Sequence, residues 1–268
     1  MPLAVCATPI GNLDDVTLRV LDELRSADVV LCEDTRHTRV LLERHDISAR
    51  LLSYHEHNEA KRTAELLPRL QAGERLALVS DAGLPGISDP GARLVGAALD
   101  AGVPVTVLPG PSAAETALVA SGFGADRYQF LGFLPRGAKA LRALWDELAG
   151  WAYPVVAFES PQRLPATLRS LAAAQPARPV AVCRELTKRF EEVVRGSAED
   201  VAARFADAPK GEITLVLGAG AAVAAADDAG AVAAVAELVA AGVGRRQAAD
   251  VVARLTGTPR NELYRRTL

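Results

Sequence analysis

Leu76-Ala77-Leu78-Val79-Ser80-Asp81-Ala82-Gly83-Leu84-Pro85-Gly86 decides the fold: an apolar run of strand length stops abruptly in a glycine- and proline-rich turn. The same punctuation follows Leu3–Ala7, which runs into Thr8-Pro9-Ile10-Gly11-Asn12, and Val103–Leu108, which runs into Pro109-Gly110-Pro111-Ser112-Ala113. A fourth run, Val29–Cys32, ends in Glu33-Asp34-Thr35-Arg36-His37-Thr38. Between these runs, Asp15–Ser26, Thr35–Arg44, Asn58–Ala72 and Pro90–Ala101 carry apolar residues at helical spacing. Pro90 after Ser88-Asp89 is a helix start, and Gly73 and Gly102 fall just past helix ends. Strands alternating with helices predict a mostly parallel sheet covered on both faces, with all the glycine–proline turns along one edge. In open sheets of this kind that edge holds ligands.

After Pro109-Gly110-Pro111 a second block begins. Its candidate strands are Tyr128–Phe133, Pro154–Glu159, Val180–Arg184, Phe190–Arg195 and Ile213–Leu217; its helices are Leu141–Ala149, Leu164–Ala174 and Ala198–Ala206. The tighter spacing predicts a mixed sheet. Residues 218–230, almost wholly Ala, Gly and Asp, read as a linker or frayed helix, followed by short helical patterns at Val232–Ala241, Arg246–Leu255 and Pro259–Leu268. The reading is therefore two α/β domains, 1–112 and 113–218, and a small helical C-terminal extension, 219–268.

Composition narrows the class. Of 268 residues, 50% are hydrophobic and 24% charged, enough apolar material for full cores, and the net charge of −3 excludes global attraction to nucleic acid. An RNA partner needs a local patch, and the last 29 residues offer one: six arginines against Asp250 and Glu262. This patch reads either as an RNA-docking surface or as a tail that stabilises a dimer or solubilises the chain. Cys6, Cys32 and Cys183 stand singly in apolar runs, which argues against disulfides or a zinc cluster and suits a reducing cytoplasm. The N-terminus lacks a basic segment ahead of its short apolar stretch, and no apolar run reaches membrane-spanning length, so a soluble intracellular protein is expected.

Several ligand classes are excluded or disfavoured. There is no GxxxxGK[ST] phosphate loop, and Gly218-Ala219-Gly220-Ala221-Ala222-Val223 fails as a dinucleotide fingerprint at its third glycine. His55-Glu56-His57 has no further ligand cluster and reads as a polar turn, so no metal is expected.

Five motifs occur in order: Thr8-Pro9-Ile10-Gly11-Asn12-Leu13; Glu33-Asp34-Thr35-Arg36-His37-Thr38; Ser80-Asp81-Ala82-Gly83 through Ile87-Ser88-Asp89-Pro90-Gly91; Leu108-Pro109-Gly110-Pro111-Ser112-Ala113; and Arg184-Glu185-Leu186-Thr187-Lys188. Together they closely resemble the bacterial 16S ribosomal RNA cytidine 2′-O-methyltransferases of the tetrapyrrole methylase superfamily, over nearly the whole chain. The resemblance implies S-adenosylmethionine bound between two α/β domains, a homodimer, and as target the ribose 2′-hydroxyl of a cytidine in 16S rRNA of the small ribosomal subunit. It also places cofactor contacts at Pro9, Ile10 and Gly11, at Asp81, Ala82, Gly83 and Leu84, at Ser112 and Ala113, and at Phe158. Leu84 stands where the family is expected to carry Thr, so an apolar contact replaces a hydroxyl there.

For an in-line displacement by a weak ribose nucleophile, positioning supplies most of the catalysis and a base or charge-stabilising donors the rest. Charged residues at strand ends are the candidates, Glu33, Asp34, Arg36, His37, Glu185 and Lys188, with Asp34 first choice as base, Arg36 for a phosphate or alkoxide contact, and Lys188 for electrostatic support. Asp34-Thr35 reads equally as a helix cap. Two other functions fit the same pattern, a methylase acting on a corrin or porphyrin precursor and a noncatalytic ribosome-associated module with a cofactor-like cleft.

Overall fold

The computed structural model describes residues 2–124, 126–220, 228–256 and 258–267. The first lobe runs β1 (Leu3–Cys6), α1 (Leu18–Ser26), β2 (Val29–Cys32), α2 (Thr35–Arg44), β3 (Leu51–Ser53), α3 (Glu59–Gln71), β4 (Leu76–Leu78), α4 (Ala92–Asp100) and β5 (Val105–Leu108). All five strands pair in parallel in the order β3-β2-β4-β1-β5. Alternate residues of the wholly buried strands face opposite sides: Leu3, Val5, Leu76 and Leu78 pack with Leu66, Leu70 and Leu94 of α3 and α4, while Ala4, Cys6 and Ala77 pack with Val20 and Leu24 of α1. This two-sided burial is why these strands read as unbroken apolar runs rather than alternating ones.

The second lobe opens with α5 (Ala113–Ser121), then β6 (Gln129–Phe133), α6 (Ala138–Leu148), β7 (Val155–Glu159), α7 (Leu164–Ala174), β8 (Pro179–Arg184), β9 (Glu192–Ser197), α8 (Ala198–Arg204) and β10 (Ile213–Leu217). The sheet order is β6-β7-β10-β8-β9; β6 and β7 are parallel and every other pair is antiparallel, so the sheet is mixed as expected. One face carries Trp145, Leu164, Leu168 and Leu171; the other is covered by α5 through Ala114 and Ala117. α9 (Asp228–Ala240), α10 (Arg245–Thr256) and α11 (Arg260–Arg266) form a third unit with its own small core of Ala231, Val235, Ala248, Ala249, Val252 and Leu263.

Four local readings change. The edge strand β3 has only three half-buried residues, too short a pattern to stand out from a loop. α5 starts after Ser112, a cap position the sequence offers, but it is rich in small residues and shows no apolar stripe, so its extent is not marked in the sequence. β9 starts two residues later than expected because residues 185–191 form a turn that leaves Phe190 64% exposed. α4 starts at Ala92 rather than Pro90: its cap is Gly91 at φ 139°, a conformation open to glycine, where a Cβ would also sit 2.9 Å from Leu78 Cδ2. Asp89 is thereby released from the helix start into the preceding turn. Of the expected 218–230 linker, 221–227 lies outside the described residues. Gly218 and Gly220 are pinned, their N–H groups donating to Pro179 O at 2.8 Å and Trp151 O at 2.7 Å, and α9 already begins at Asp228.

Candidate active site

The turns after β1, β2 and β4 are tied to one another. Thr8 and Gly83 exchange backbone hydrogen bonds of 2.8 and 3.1 Å, and the buried Thr8 hydroxyl donates to Ser80 O at 3.0 Å. Asp81 Oδ1 accepts from the Asp34 N–H at 3.2 Å, joining the β4 turn to the β2 turn. The parallel-strand rim is thus one hydrogen-bonded platform rather than separate loops.

Facing it lies the second lobe, and between them is a cleft of about 730 Å³, a size that holds a nucleoside-sized ligand. The platform contributes Ile10, Asp81, Ala82, Gly83, Leu84 and Asp89. α5 points its N-terminus into the cleft with Ser112, Ala113 and Ala114. Because the Ser112 hydroxyl bonds to Glu115 rather than capping the helix, the first-turn N–H groups carry no side-chain cap and suit an anionic group. The opposite wall is aromatic: Phe158 packs edge to face on Phe130 and Phe133, with ring centroids 5.0 and 5.5 Å apart. Phe130, Phe133 and Tyr128 go unnoticed as site residues because in sequence they read only as strand, and Leu186 stands in the fifth motif without a role assigned to it.

The expected contacts divide. Ile10, Asp81, Ala82, Gly83, Leu84, Ser112, Ala113 and Phe158 all line this cleft. Pro9 does not, and Gly11 lies beyond it in an adjoining open groove with Asn12, Arg44, Lys188 and Arg189. There Gly11 is a clasp between the lobes: a Cβ would meet Lys188 Cγ at 2.5 Å, Thr187 Oγ1 at 2.7 Å and Leu186 O at 2.8 Å, and the next N–H, of Asn12, donates to Thr187 Oγ1 at 2.9 Å.

Asp34 and Arg36 stand outside the cleft lining. Asp34 caps α2, accepting from the Arg36 N–H at 2.8 Å, and is gripped by the Arg36 guanidinium at 3.0 Å (Nε) and 2.6 Å (Nη2). Those Arg36 hydrogen bonds hold its carboxyl far below the usual range, so in this arrangement Asp34 is a cap and an anchor for Arg36 and has little basicity to offer. Lys188 Nζ is held between Glu185 at 3.0 Å and Glu212 at 2.9 Å; burial would lower its pKa, but the two carboxylates outweigh it and raise it.

The cleft's own carboxylates are differently placed. Glu159 is buried and satisfied by Ser160 N, Thr167 Oγ1 and Arg163. Glu115 accepts from Ser112 and Tyr128, and Glu212 pairs with Lys188. Among the described residues no cation pairs with Asp89: burial first, then the facing carboxylates of Glu33 and Asp81, push it up to about 6, with the nearby Ser80 hydroxyl acting the other way. Glu33 is raised as well, by burial and by Asp81. Among the described residues no group of three His, Cys, Asp or Glu is arranged to hold a metal; His55 packs edge to face on His57.

The family profile described as Tetrapyrrole (Corrin/Porphyrin) Methylases matches residues 2–202. Over 269 residues the chain is 44% identical to the ribosomal RNA small subunit methyltransferase I of Mesorhizobium japonicum, covering 99% of this chain and 91% of that one. The chain belongs to the tetrapyrrole methylase family. Its similarity to a protein of the same description from Thermotoga maritima is 46% over 216 residues, 80% of this chain but 97% of the other, which is therefore shorter. Among solved structures, a uroporphyrin-III C-methyltransferase from Thermus thermophilus complexed with S-adenosylhomocysteine superposes with a TM-score of 0.58 at 21% identity, covering 81% of this chain and 96% of that one. Such methylases depend on S-adenosylmethionine, and the cleft suits it: uncapped N–H groups, an aromatic wall and carboxylates match its carboxylate, adenine and sulfonium.

Proposed function

We propose that this chain transfers the methyl group of S-adenosylmethionine to the ribose 2′-hydroxyl of a cytidine in the 16S RNA of the small ribosomal subunit, acting as a cytoplasmic homodimer without a metal. The observation that carries this reading is the cleft itself, where turns from the parallel sheet, the α5 N-terminus and a phenylalanine wall converge on one space. Relatives described as small-subunit ribosomal RNA methyltransferases, at 44–47% identity over nearly the whole chain, support the substrate.

In this reading the α5 N-terminus, with Ser112 and Ala113, takes the cofactor's carboxylate; the Asp81–Leu84 turn takes its polar edge; and Ile10, Leu84 and Phe158 enclose its apolar parts. When bound, the cofactor supplies an electrophilic methyl carbon on a cationic sulfur. Pro9 and Gly11 set the shape of the first turn and hold the lobes in register. Arg36, anchored by Asp34, contacts RNA phosphate, and Lys188 supports the lobe junction electrostatically. Exposed Val107 on edge strand β5 and Val119 on α5 are apolar surface that a second copy would cover. The arginines of α10 and α11 give the RNA a docking surface outside the catalytic lobes.

The test is transfer of radiolabel from S-adenosylmethionine, offered in parallel to isolated small subunits lacking the modification and to porphyrin precursors. Label in RNA that maps to a cytidine 2′-O-methyl group is expected. Label in the macrocycle, or in neither despite cofactor binding, would overturn the proposal in favour of the other two functions.

A further inference from the structure

We propose that Asp89 is the general base that removes the ribose 2′-hydroxyl proton during transfer. This inference rests on the methyl-transfer reading above and assigns a role within the same cleft.

Three observations lead to it. First, among the carboxylates lining the cleft, Glu159, Glu115 and Glu212 are each held by a cation or by strong donors, and Asp81 is engaged by the Asp34 N–H. Asp89 lines the same cleft, and among the described residues its carboxylate has no cationic partner. Second, the turn that presents it is strained. Ser88, a residue with a side chain, sits at φ 63°, between Gly86 at 85° and Gly91 at 139°. Strain of this kind, about 1–3 kcal/mol, persists where surrounding structure enforces it and concentrates at functional sites. The turn also abuts the second lobe, since a Cβ on Gly132 of β6 would lie 3.1 Å from Ser88 Oγ, so Asp89 sits close to the aromatic wall. Third, its basicity fits the task. Glu33 from the end of β2 and Asp81 from the end of β4 face it and, with burial, hold it near 6, while only the Ser80 hydroxyl opposes them. Glu33 in turn feels Asp34, His55 and Glu56. A base poised near the working pH is the most efficient proton acceptor, and Asp34, bound by Arg36, is not so poised.

The step balances as follows. The 2′-oxygen bonds to the methyl carbon as the carbon–sulfur bond breaks; the sulfur retains that electron pair and becomes neutral. The hydroxyl proton passes to Asp89, which returns it to water after the methylated RNA leaves.

The experiment uses the full chain and small subunits under single-turnover conditions from pH 5 to 8.5, with S-adenosylhomocysteine affinity measured in parallel by calorimetry. In the wild type the rate is expected to rise with pH and level off above about 6. Asp89→Asn, which keeps shape, is expected to lose that limb and about 10²–10⁴-fold in rate, with S-adenosylhomocysteine affinity retained. Glu33→Gln removes a facing carboxylate and is expected to move the limb to lower pH, an effect that a purely structural Asp89 would not produce. An Asp89→Asn enzyme with the wild-type rate and limb would overturn the inference while leaving methyl transfer standing. Loss of S-adenosylhomocysteine binding in that variant would overturn it too, reassigning Asp89 to the cofactor. A wild type that labels no RNA would remove the underlying reading instead.

Discussion

Replacing Asp89 by Asn is expected to make the protein more stable at neutral pH. The Asp89 carboxyl rises from the ordinary 3.8 to about 6 on folding, because burial and the facing carboxylates of Glu33 and Asp81 disfavour its charge. A group whose acid form is favoured by the fold adds nothing above about pH 6, where the folded chain must carry the unfavourable charge. Its cost is absent below about pH 4, where the carboxyl is protonated folded and unfolded alike, and grows between these limits. At about 1.4 kcal/mol per pH unit the full cost is about 3 kcal/mol; partial solvent access lowers it to about 1–2 kcal/mol. Asn carries no charge and escapes this cost at every pH. Scanning calorimetry should therefore show Asp89→Asn melting about 2–8 °C above wild type at pH 7.5, at about 2–4 °C per kcal/mol, with the gap closing by pH 4. A variant that melts at or below the wild-type temperature at pH 7.5, or a gap independent of pH, would refute the electrostatic reasoning. A stability gain paired with an activity loss is the trade-off found where a site is kept under strain for function.

Three further outcomes are expected. Gly11→Ala forces a methyl group against Thr187 Oγ1 and Leu186 O at under 3 Å; at about 1–3 kcal/mol for such overpacking, both the melting temperature and S-adenosylhomocysteine affinity should fall, the latter by up to about 5–150-fold, and an unchanged affinity would show that the clasp does not shape the cleft. In the proposed reading Phe133, 62% exposed beside Phe158, offers a base a stacking surface worth about 1–3 kcal/mol; Phe133→Ala should raise KM for small subunits about 5–150-fold, with a smaller loss of cofactor affinity. Replacing the exposed Arg246 and Arg265 with Ser should flatten the slope of log binding constant against log salt by about 1.4, at about 0.7 per lost phosphate contact; an identical slope would make the helical extension a stabilising tail.

The core of the parallel lobe is legible because β1, β2 and β4 are buried on both faces and the runs at β1, β4 and β5 stop at glycine- and proline-rich turns, which places these strands to within two residues. Failures came where a pattern was too short or chemically mute. Leu51-Leu52-Ser53 is a strand only because β2 offers an edge to pair with, and Ala113–Ser121 buries small side chains that carry no stripe. The turns that line the cleft stand out in sequence because glycine and proline punctuate them. The catalytic candidates were harder, since a carboxylate at a strand end is equally a cap or a base until its neighbours are known. Asp34 found Arg36 two residues away, whereas Asp89 was drawn out of a helix start by the φ of Gly91. The phenylalanine wall depends on β6 pairing with β7, a long-range contact with no local signature.

The placement of charge around the cleft has a consequence for turnover. Glu33, Asp81 and Asp89 share one rim, where burial first and then the neighbouring carboxylates raise the pKa values of Glu33 and Asp89. In the proposed reaction the incoming donor is a sulfonium cation and the departing product a neutral thioether, so a negative rim favours the donor and is indifferent to the product. One charge pair about 6 Å apart at an effective dielectric constant of 20 contributes about 3 kcal/mol before screening; a tenth to a half of that suffices to keep the product from blocking the site. Calorimetry with S-adenosylmethionine and S-adenosylhomocysteine tests this directly. Asp81→Asn should weaken the cation by a larger factor than the thioether, narrowing their affinity ratio about 2–10-fold. Equal losses for both would mean that Asp81 serves only as a hydrogen-bond acceptor, and that the crowded rim exists to tune Asp89 alone.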